Sequence, residues 1–159
     1  RIIRDTLTYF FLLYNSLAAR KHEGFDAPDF TAFFDADSPN YGNALYYVDY
    51  ARYLSLLAEL SDTPGYSWYN TLLEFESLKI DGDTAEAQVH NLLYMIYEGN
   101  DMLSAQGDTP VIELNRVDGV WLISDIETAI SFVNAHTHEY TLDRIAELET
   151  ELAQKEASQ

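Results

Sequence analysis

Asp49 lies in a row of tyrosines that could support acid–base chemistry. Tyr46, Tyr50 and Tyr53 follow one another at helical spacing, so their side chains share one face of a helix, and Asp49 immediately precedes Tyr50. A carboxylate in an apolar pocket has a raised pKa, and a neighbouring tyrosine hydroxyl can donate a hydrogen bond to a substrate. Asp49 is therefore a candidate acid–base residue. Exposure of Asp49 to solvent beside the tyrosines explains the same pattern without a reaction.

Asp125 is a second candidate, because it follows Trp121 near the end of an apolar run. Trp68 and Trp121, together with Tyr46 and Tyr50, could line a small-molecule pocket around either aspartate. Aromatic side chains more often belong to a hydrophobic core, and an aspartate at a strand end needs no catalytic role. We therefore name these residues as candidate ligand-binding residues and keep a purely structural role as the alternative.

Possible metal ligands occur in two places, and neither pattern favours a site. His136 and His138 would face one way on a strand but diverge on a helix, and their segment is predicted to be helix or turn, with no carboxylate clearly beside it. Residues 35–40, Asp-Ala-Asp-Ser-Pro-Asn, alternate oxygen-bearing side chains like a calcium loop. They lack the glycine of such a loop, and no glutamate follows at its twelfth position. The sequence predicts a turn there and no metal site.

Motifs for covalent catalysis and for nucleotide cofactors do not occur in the sequence. There is no cysteine, so thiol nucleophiles, thiolate metal sites and disulfides are excluded together. No Gly-x-Ser-x-Gly, Gly-x-Gly-x-x-Gly or phosphate-binding-loop pattern occurs either. We predict no cofactor, and the absence of an activated nucleophile favours a protein that is not an enzyme.

The net charge of the chain limits the classes of partner that it can bind. Acidic residues number 27 against 9 lysines and arginines, which gives a formal net charge of −18. Nucleic acids and anionic lipid surfaces are repelled at long range by such a surface. No apolar run approaches the roughly 20 residues that span a bilayer. We therefore predict no nucleic-acid partner and no direct membrane insertion.

Helices occupy the first part of the chain. Apolar residues recur at helical spacing over residues 2–20 and again over 43–60, with a short helical piece near 30–35. The face formed by Ala44, Val48 and Ala51 is predicted to pack against a sheet.

Strands follow the helices. The turn sequences Asp81-Gly82-Asp83 and Asp118-Gly119 separate apolar and β-branched runs, which is typical of hairpins. The strands are predicted at 71–80, 83–97, 109–117 and 120–127, with a long connection between the second and third. Along the first strand, the apolar positions change from odd to even residue numbers near Glu76–Ser77. An extra residue in a β-bulge would keep both sets on the same face, so a bulge is predicted there.

The C-terminal segment forms a separate unit in this interpretation. Residues 1–135 make one α+β domain, and residues 136–159 make a helical tail with the stripe Leu142, Ile145, Leu148 and Leu152. This stripe could lie on the domain, pair with another chain, or continue as a linker helix. Homodimers through the tail or through the sheet are both open at this point.

Helices followed by an antiparallel meander resemble the nuclear transport factor 2-like fold, also called cystatin-like, in which helices pack in the concave face of a curved four-stranded sheet. Local features resemble, more closely, the domain that precedes amidase domains in secreted proteins of Gram-positive bacteria. These features are residues 9–17 (Tyr-Phe-Phe-Leu-Leu-Tyr-Asn-Ser-Leu), the hairpin at 75–85 and the hairpin at 117–125. The resemblance covers about residues 5–127.

The resemblance implies a non-catalytic binding or spacer module of an extracellular or cell-surface bacterial protein, accessory to a cell-wall or peptide hydrolase in an adjacent domain. The sequence starts without methionine, which fits an N-terminal segment that has been removed. Proteins of this fold can also carry isomerase-type or ligand-binding pockets in the cone, which is the alternative function. An open cone with a buried carboxylate facing a tyrosine would favour the alternative, and a cone filled by side chains would favour the module.

Overall fold

A computed structural model describes residues 2–19, 29–61, 64–127 and 135–158. The chain has an α+β fold in which two N-terminal helices precede a curved antiparallel sheet of five strands. The elements are α1 (Ile2–Ala19), a short 3-10 helix (Thr31–Phe33), α2 (Tyr41–Leu60), β1 (Tyr66–Asp81), β2 (Thr84–Tyr97), β3 (Leu103–Asp108), β4 (Val111–Val117), β5 (Val120–Glu127) and α3 (Ala135–Ala157).

Strand β2 organises the sheet because it is paired along both of its edges. On one side it pairs with β1 along nearly its whole length. On the other side its first half pairs with β4 and its second half, from Asn91 to Ile96, pairs with β3. Pro110 lies between β3 and β4, and its carbonyl oxygen accepts the Val89 N–H at 3.3 Å. Strands β3 and β4 thus act as one long partner of β2, broken at a proline.

The prediction of four strands was wrong by one, because β3 lies in the segment expected to be a connection. Its sequence, Leu-Ser-Ala-Gln-Gly-Asp, has no β-branched residue, so local propensity does not favour a strand. The second half of β2 supplies the pairing partner. Strand β1 also begins at Tyr66 rather than at residue 71, since the same half of β2 extends its pairing.

Turn and bulge predictions are confirmed. Gly82, Asp118 and Gly119 have positive φ angles of 59°, 51° and 80°, as tight antiparallel hairpins require. The register of β1 against β2 shifts between Phe75 and Ser77, so Glu76 is the extra residue of a bulge. Because of the extra residue, Phe75 before the bulge and Leu78 after it both pack against the core.

Helices α1 and α2 cover the concave face of the sheet and form an aromatic core with it. Phe10 lies at the centre, with ring centroids of four other phenylalanines between 5.0 and 5.8 Å away. Ala44 and Val48 of α2 are buried in the same cluster as the inward residues of β2 and Trp121 of β5, and Ala51 packs against it. The predicted packing face of the long helix is therefore confirmed.

Residues 34–38 cover the outer edge of β5. Phe34 forms a parallel bridge with Ile123, and the Asp35 N–H donates to the Ile123 carbonyl oxygen at 2.8 Å. The Ser38 hydroxyl donates to the Ser124 carbonyl oxygen at 2.7 Å. This edge of the sheet is thereby closed by the chain itself.

Helix α3 packs on α2, which is the first of the three arrangements open for the tail. Ile145 and Leu148 are buried against Leu56, and Arg52 forms an ion pair with Glu149 at 2.6 Å. Most of the apolar stripe of the tail is thus used within the chain. None of the helices in the described ranges is long and apolar enough to cross a membrane.

The two tryptophans give a matched test of the core. Trp121 is 7% exposed and Trp68 is 47% exposed. We expect Trp121→Ala to lower the free energy of unfolding by about 3–5 kcal/mol, because a large buried side chain is lost and a cavity remains. Trp68→Ala is the control and should cost less than about 1 kcal/mol. Urea unfolding followed by circular dichroism measures both, and equal losses would contradict the assigned core.

Candidate functional site

The tyrosines of the predicted row lie along one side of α2. Tyr46 and Tyr50 stack with ring centroids 5.8 Å apart, and Tyr50 and Tyr53 follow at 6.2 Å. Tyr53 packs against the cluster of Leu56, Ile145 and Leu148. Asp49, on the same helix, is half-buried. Among the described residues, the aromatic core on the concave face contains none of these four residues.

Asp125 is buried and tied to the start of α2. The side-chain amide of Asn43 donates to Asp125 Oδ1 at 2.8 Å and to the Ile126 carbonyl oxygen at 3.3 Å. Across the sheet, Asp125 pairs with Glu113 of β4. Burial, followed by the charges of Asp125, Glu127 and Glu86, raises the pKa of Glu113. Asp125 therefore fixes α2 against β5, and the structure does not bring it together with Asp49.

The two tryptophans also lie apart. Trp121 is in the core, where the guanidinium of Arg116 lies 5.4 Å from the ring centroid. Trp68 lies near the start of β1, where it pairs with Ile96. Its side chain is on the face of the sheet that points away from the helices. The expectation of a core position holds for Trp121 and not for Trp68.

A different aspartate, Asp108, faces tyrosines inside the cone. It ends β3 and is the cross-strand partner of Asn91, so both side chains point to the concave face. The Tyr47 hydroxyl of α2 donates to Asp108 Oδ2, and the Asn91 amide donates to Oδ1 at 3.3 Å. Tyr14 of α1 stacks on Tyr47 with centroids 4.7 Å apart and ring planes 14° apart.

Asn91 connects this carboxylate to the first helix. Its side-chain amide and that of Asn15 exchange two hydrogen bonds, of 2.8 and 3.0 Å, and both residues are buried. The polar network, which we define as Tyr14, Asn15, Tyr47, Asn91 and Asp108, therefore joins α1, α2, β2 and β3.

Burial sets the protonation behaviour of the network. It raises the pKa of Asp108, and the hydrogen bonds from Tyr47 and Asn91 and the charge of His90 oppose that increase. Burial and the charge of Asp108 raise the pKa of Tyr14, and burial is also the largest cause of the raised pKa of Tyr47. The tyrosines remain neutral donors, while the carboxyl group accepts a proton more readily than an exposed aspartate.

The concave face around the network is covered by side chains. Along β2, the inward residues are each at most 7% exposed, and these are Ala85, Ala87, Val89, Asn91, Leu93 and Met95. The side-chain amides of the two asparagines and the carboxylate of Asp108 are engaged with one another or with Tyr47. A ligand at this place would have to displace internal hydrogen bonds.

The sequence analysis missed the network because its members are scattered over four elements. Asp108 lies in a segment that was expected to be a connection between strands, and Tyr47 is outside the tyrosine row that the helical spacing singles out. Two signals were present. Asn15 falls on the apolar stripe of α1, four residues after Phe11, and Asn91 falls between Val89 and Leu93 in the inward register of β2. A polar residue in a buried register needs a partner.

No group of three or more histidine and acidic side chains in the described part of the chain is arranged to hold a metal ion. Residues 35–40 form a turn in which Asp35 accepts the Asp37 N–H at 3.1 Å and the Asn115 amide at 3.0 Å. The side chains of His136 and His138 lie outside the described positions.

Asp108→Asn tests the protonation of the network. Because the pKa of Asp108 is raised in the folded state above its ordinary value of 3.8, the stability that it contributes is fully present at lower pH. That contribution is lost as the pH rises through the folded-state pKa. We expect the free energy of unfolding of the wild type, minus that of the variant, to fall from pH 4 upward. Urea titrations at several pH values measure this difference, with the exposed Asp101→Asn as the surface control. A difference that rises with pH would contradict the assignment.

Asn15→Ala and Asn91→Ala test the reciprocal amide pair. Each change leaves a buried amide without its partner and should cost about 1–3 kcal/mol. The double variant should lose less than the sum of the two, with a coupling energy of about 0.5–3 kcal/mol. Additive losses in urea unfolding would mean that the pair does not interact.

Comparisons with known proteins give the fold and nothing finer. No family model matches the sequence, and no curated protein matches it significantly. The structure is similar to a nuclear transport factor 2-like protein with a cystatin-like fold from Novosphingobium aromaticivorans, with a TM-score of 0.50 and 17% identity. This match covers 89% of this chain and 86% of that one. A protein of unknown function from Mycobacterium tuberculosis matches with a TM-score of 0.48 and 12% identity, over 94% of this chain and 88% of that one.

Identities this low establish architecture and not activity. The two N-terminal helices in the concave face of a curved antiparallel sheet agree with the first of these structures over most of both chains. The protein therefore has the nuclear transport factor 2-like, cystatin-like α+β fold.

Proposed function

We propose that this protein is a non-catalytic binding or spacer module. The observation that carries the proposal is the covered concave face: the inward residues of β2 are buried from Ala85 to Met95. Enzymes and carriers that use a cone need an open, lined pocket. The aromatic core at one end of the concave face and the self-paired polar network at the other support a cone without such a pocket.

The network has a structural role in this proposal. It joins two helices to two strands through side chains that satisfy one another, as buried polar groups must. Asn15 and Asn91 are buried and bond to each other, and Asn91 and Tyr47 bond to Asp108, so these hydrogen bonds fix how α1 and α2 sit on the sheet. A residue set with this role is expected in a rigid module that presents its outer surface to partners.

The setting of the module is part of the proposal and rests on the sequence resemblance alone. Its hairpins at 75–85 and 117–125 resemble the domain that accompanies amidase domains in secreted Gram-positive proteins. We therefore place it in an extracellular or cell-surface protein, accessory to a cell-wall or peptide hydrolase. The formal net charge of −18 disfavours direct contact with anionic wall polymers, so a protein partner or a cation-bridged contact fits better.

A second candidate function is favoured by one observation, the half-buried carboxyl group of Asp108 beside the Tyr47 hydroxyl. A carboxyl group with a raised pKa can act as a general base, and a neutral tyrosine can stabilise a developing oxyanion. This pair, rather than Asp49 or Asp125, would carry isomerase-type chemistry or hold a polar ligand. A ligand at the half-buried Asp108 would have to replace its hydrogen bond from Tyr47 or from Asn91.

Ligand titration distinguishes the two functions. We expect the side-chain amide NMR signals of Asn15 and Asn91 to show no saturable shift with apolar ketones, short peptides or soluble wall fragments, and we expect no product by mass spectrometry. Turnover that disappears in Asp108→Asn and in Tyr47→Phe would overturn the non-catalytic module. A saturable shift without turnover would rule out a spacer and show a ligand site at the network. Asp125→Asn is the control, because Asp125 is a buried carboxyl group that lies outside the network.

A further inference from the structure

Strand β1 presents a long open edge of the sheet. One side of β1 pairs with β2, and in the described ranges no strand reaches the other side. The Thr71 N–H donates to the side-chain oxygen of Asn70 at 2.9 Å, a local bond that pairing with another strand would replace. The opposite edge of the sheet, on β5, is covered by residues 34–38. Strand β1 has 16 residues, whereas the edge strand β3 has 6. Open edges of this length are templates for pairing with another strand.

Charge divides β1 into two halves. The first half, Tyr66–Leu73, reads Tyr-Ser-Trp-Tyr-Asn-Thr-Leu-Leu and carries no charged residue. The second half contains Glu74, Glu76, Lys79 and Asp81. In a chain with 27 acidic residues, an uncharged half-strand at an open edge is where a second acidic molecule can approach with least repulsion.

Exposed apolar side chains lie on the same half. Trp68 and Leu72 are 47% and 45% exposed and share the face of the sheet that points away from the helices. Tyr69, on the other face, is also exposed. Natural proteins protect open edges with charges, prolines, bulges or short strands. Tyr66–Leu73 has no charge and no proline, and its register shift lies at its start, between Tyr66 and Trp68.

We infer that Tyr66–Leu73 pairs antiparallel with the same segment of a second copy of this chain, around a two-fold axis that passes through Asn70. Two-fold pairing uses one surface twice and needs no other partner. Side chains that lie directly opposite in an antiparallel pair share a face. With the axis at Asn70, Trp68 lies opposite Leu72 of the partner subunit, and Tyr69 lies opposite Thr71 of the partner subunit.

The charge pattern selects this register over those further along the strand. An axis at Glu76 would bring the two Glu76 carboxylates face to face, which is destabilising. With the axis at Asn70, residues 68–72 of the two copies form the regular part of the pairing, and Glu74 and Glu76 lie beyond it. The second copy is favoured over an unrelated strand because the aromatic and aliphatic residues of this segment complement each other when the segment is reversed.

Salt dependence has a defined sign in this dimer. Each copy carries a formal net charge of −18, so the two copies repel one another at long range, and added salt screens that repulsion. We expect the dimer dissociation constant to fall at least about threefold between low and high salt. Sedimentation velocity over a concentration series measures it. Monomers at every concentration in high salt would overturn the inference.

A charge substitution and its matched control test the location. Leu72→Glu places a carboxylate in the paired segment and should abolish the dimer. Ile80→Glu adds the same charge to an exposed apolar position of the same strand, 57% exposed, and should leave dimerisation unchanged. Circular dichroism verifies that both variants are folded. An equal effect of the two variants, or a Leu72→Glu dimer, would contradict the proposed interface.

Cross-linking tests the register independently. The chain has no cysteine, so Asn70→Cys introduces one thiol that lies on the two-fold axis opposite its equivalent. Directly opposite side chains are close to disulfide distance, so oxidised glutathione should convert this variant to a covalent dimer at least about tenfold faster than Ile80→Cys. Equal rates for the two variants would rule out the Asn70 register. An apolar extended peptide that binds β1 while the protein stays monomeric would replace the second copy as the occupant.

Discussion

Pairing along both edges of β2 is the constraint on which the rest of the structure depends. A 14-residue strand in the interior of a sheet must satisfy its backbone hydrogen bonds on both sides. Strand β1 covers one side, but β4 reaches only from Thr84 to Gln88 on the other. The remaining half of β2 recruits a segment of weak strand propensity as β3. That pairing brings Asp108 to the concave face opposite Asn91.

Placing a carboxylate there has an energetic cost that the surrounding residues reduce. Burial disfavours the charged form, as the raised pKa of Asp108 shows, and the hydrogen bonds of Tyr47 and Asn91 partly compensate. Apolar side chains of similar total volume in place of the network would stabilise the folded state as well or better. The advantage of the polar network is geometric, because its directional hydrogen bonds fix α1 and α2 relative to the sheet. This role agrees with a rigid module.

The edges on β1 and β5, at opposite ends of the sheet, differ in how the chain covers them. The β5 edge is closed by residues 34–38, which contribute Asp35 and Ser38 as hydrogen-bond partners. The β1 edge is left open, with its charges confined to one half. Such an asymmetry is understandable if the open edge is used for association, since a chain of this net charge can approach a copy of itself only where its surface is locally neutral.

The sequence by itself determined much of the architecture, because its signals are local. Helical periodicity located α1 and α2, glycines with positive φ located the hairpins, and the parity change located the bulge after Phe75. Each of these depends on residues a few positions apart, whose geometry is fixed by the period of the backbone.

Long-range pairing decided the rest. Strand β3 forms because β2 has unpaired backbone groups, not because its own residues favour extended structure. The polar network joins residues up to 76 positions apart, and no local pattern connects Asn15 with Asn91 or Asp108 with Tyr47. The aspartates chosen from the sequence, Asp49 and Asp125, were selected for aromatic neighbours along the chain. Only the tertiary structure decides which carboxylate faces a tyrosine across the interior, since that depends on how two helices and two strands meet.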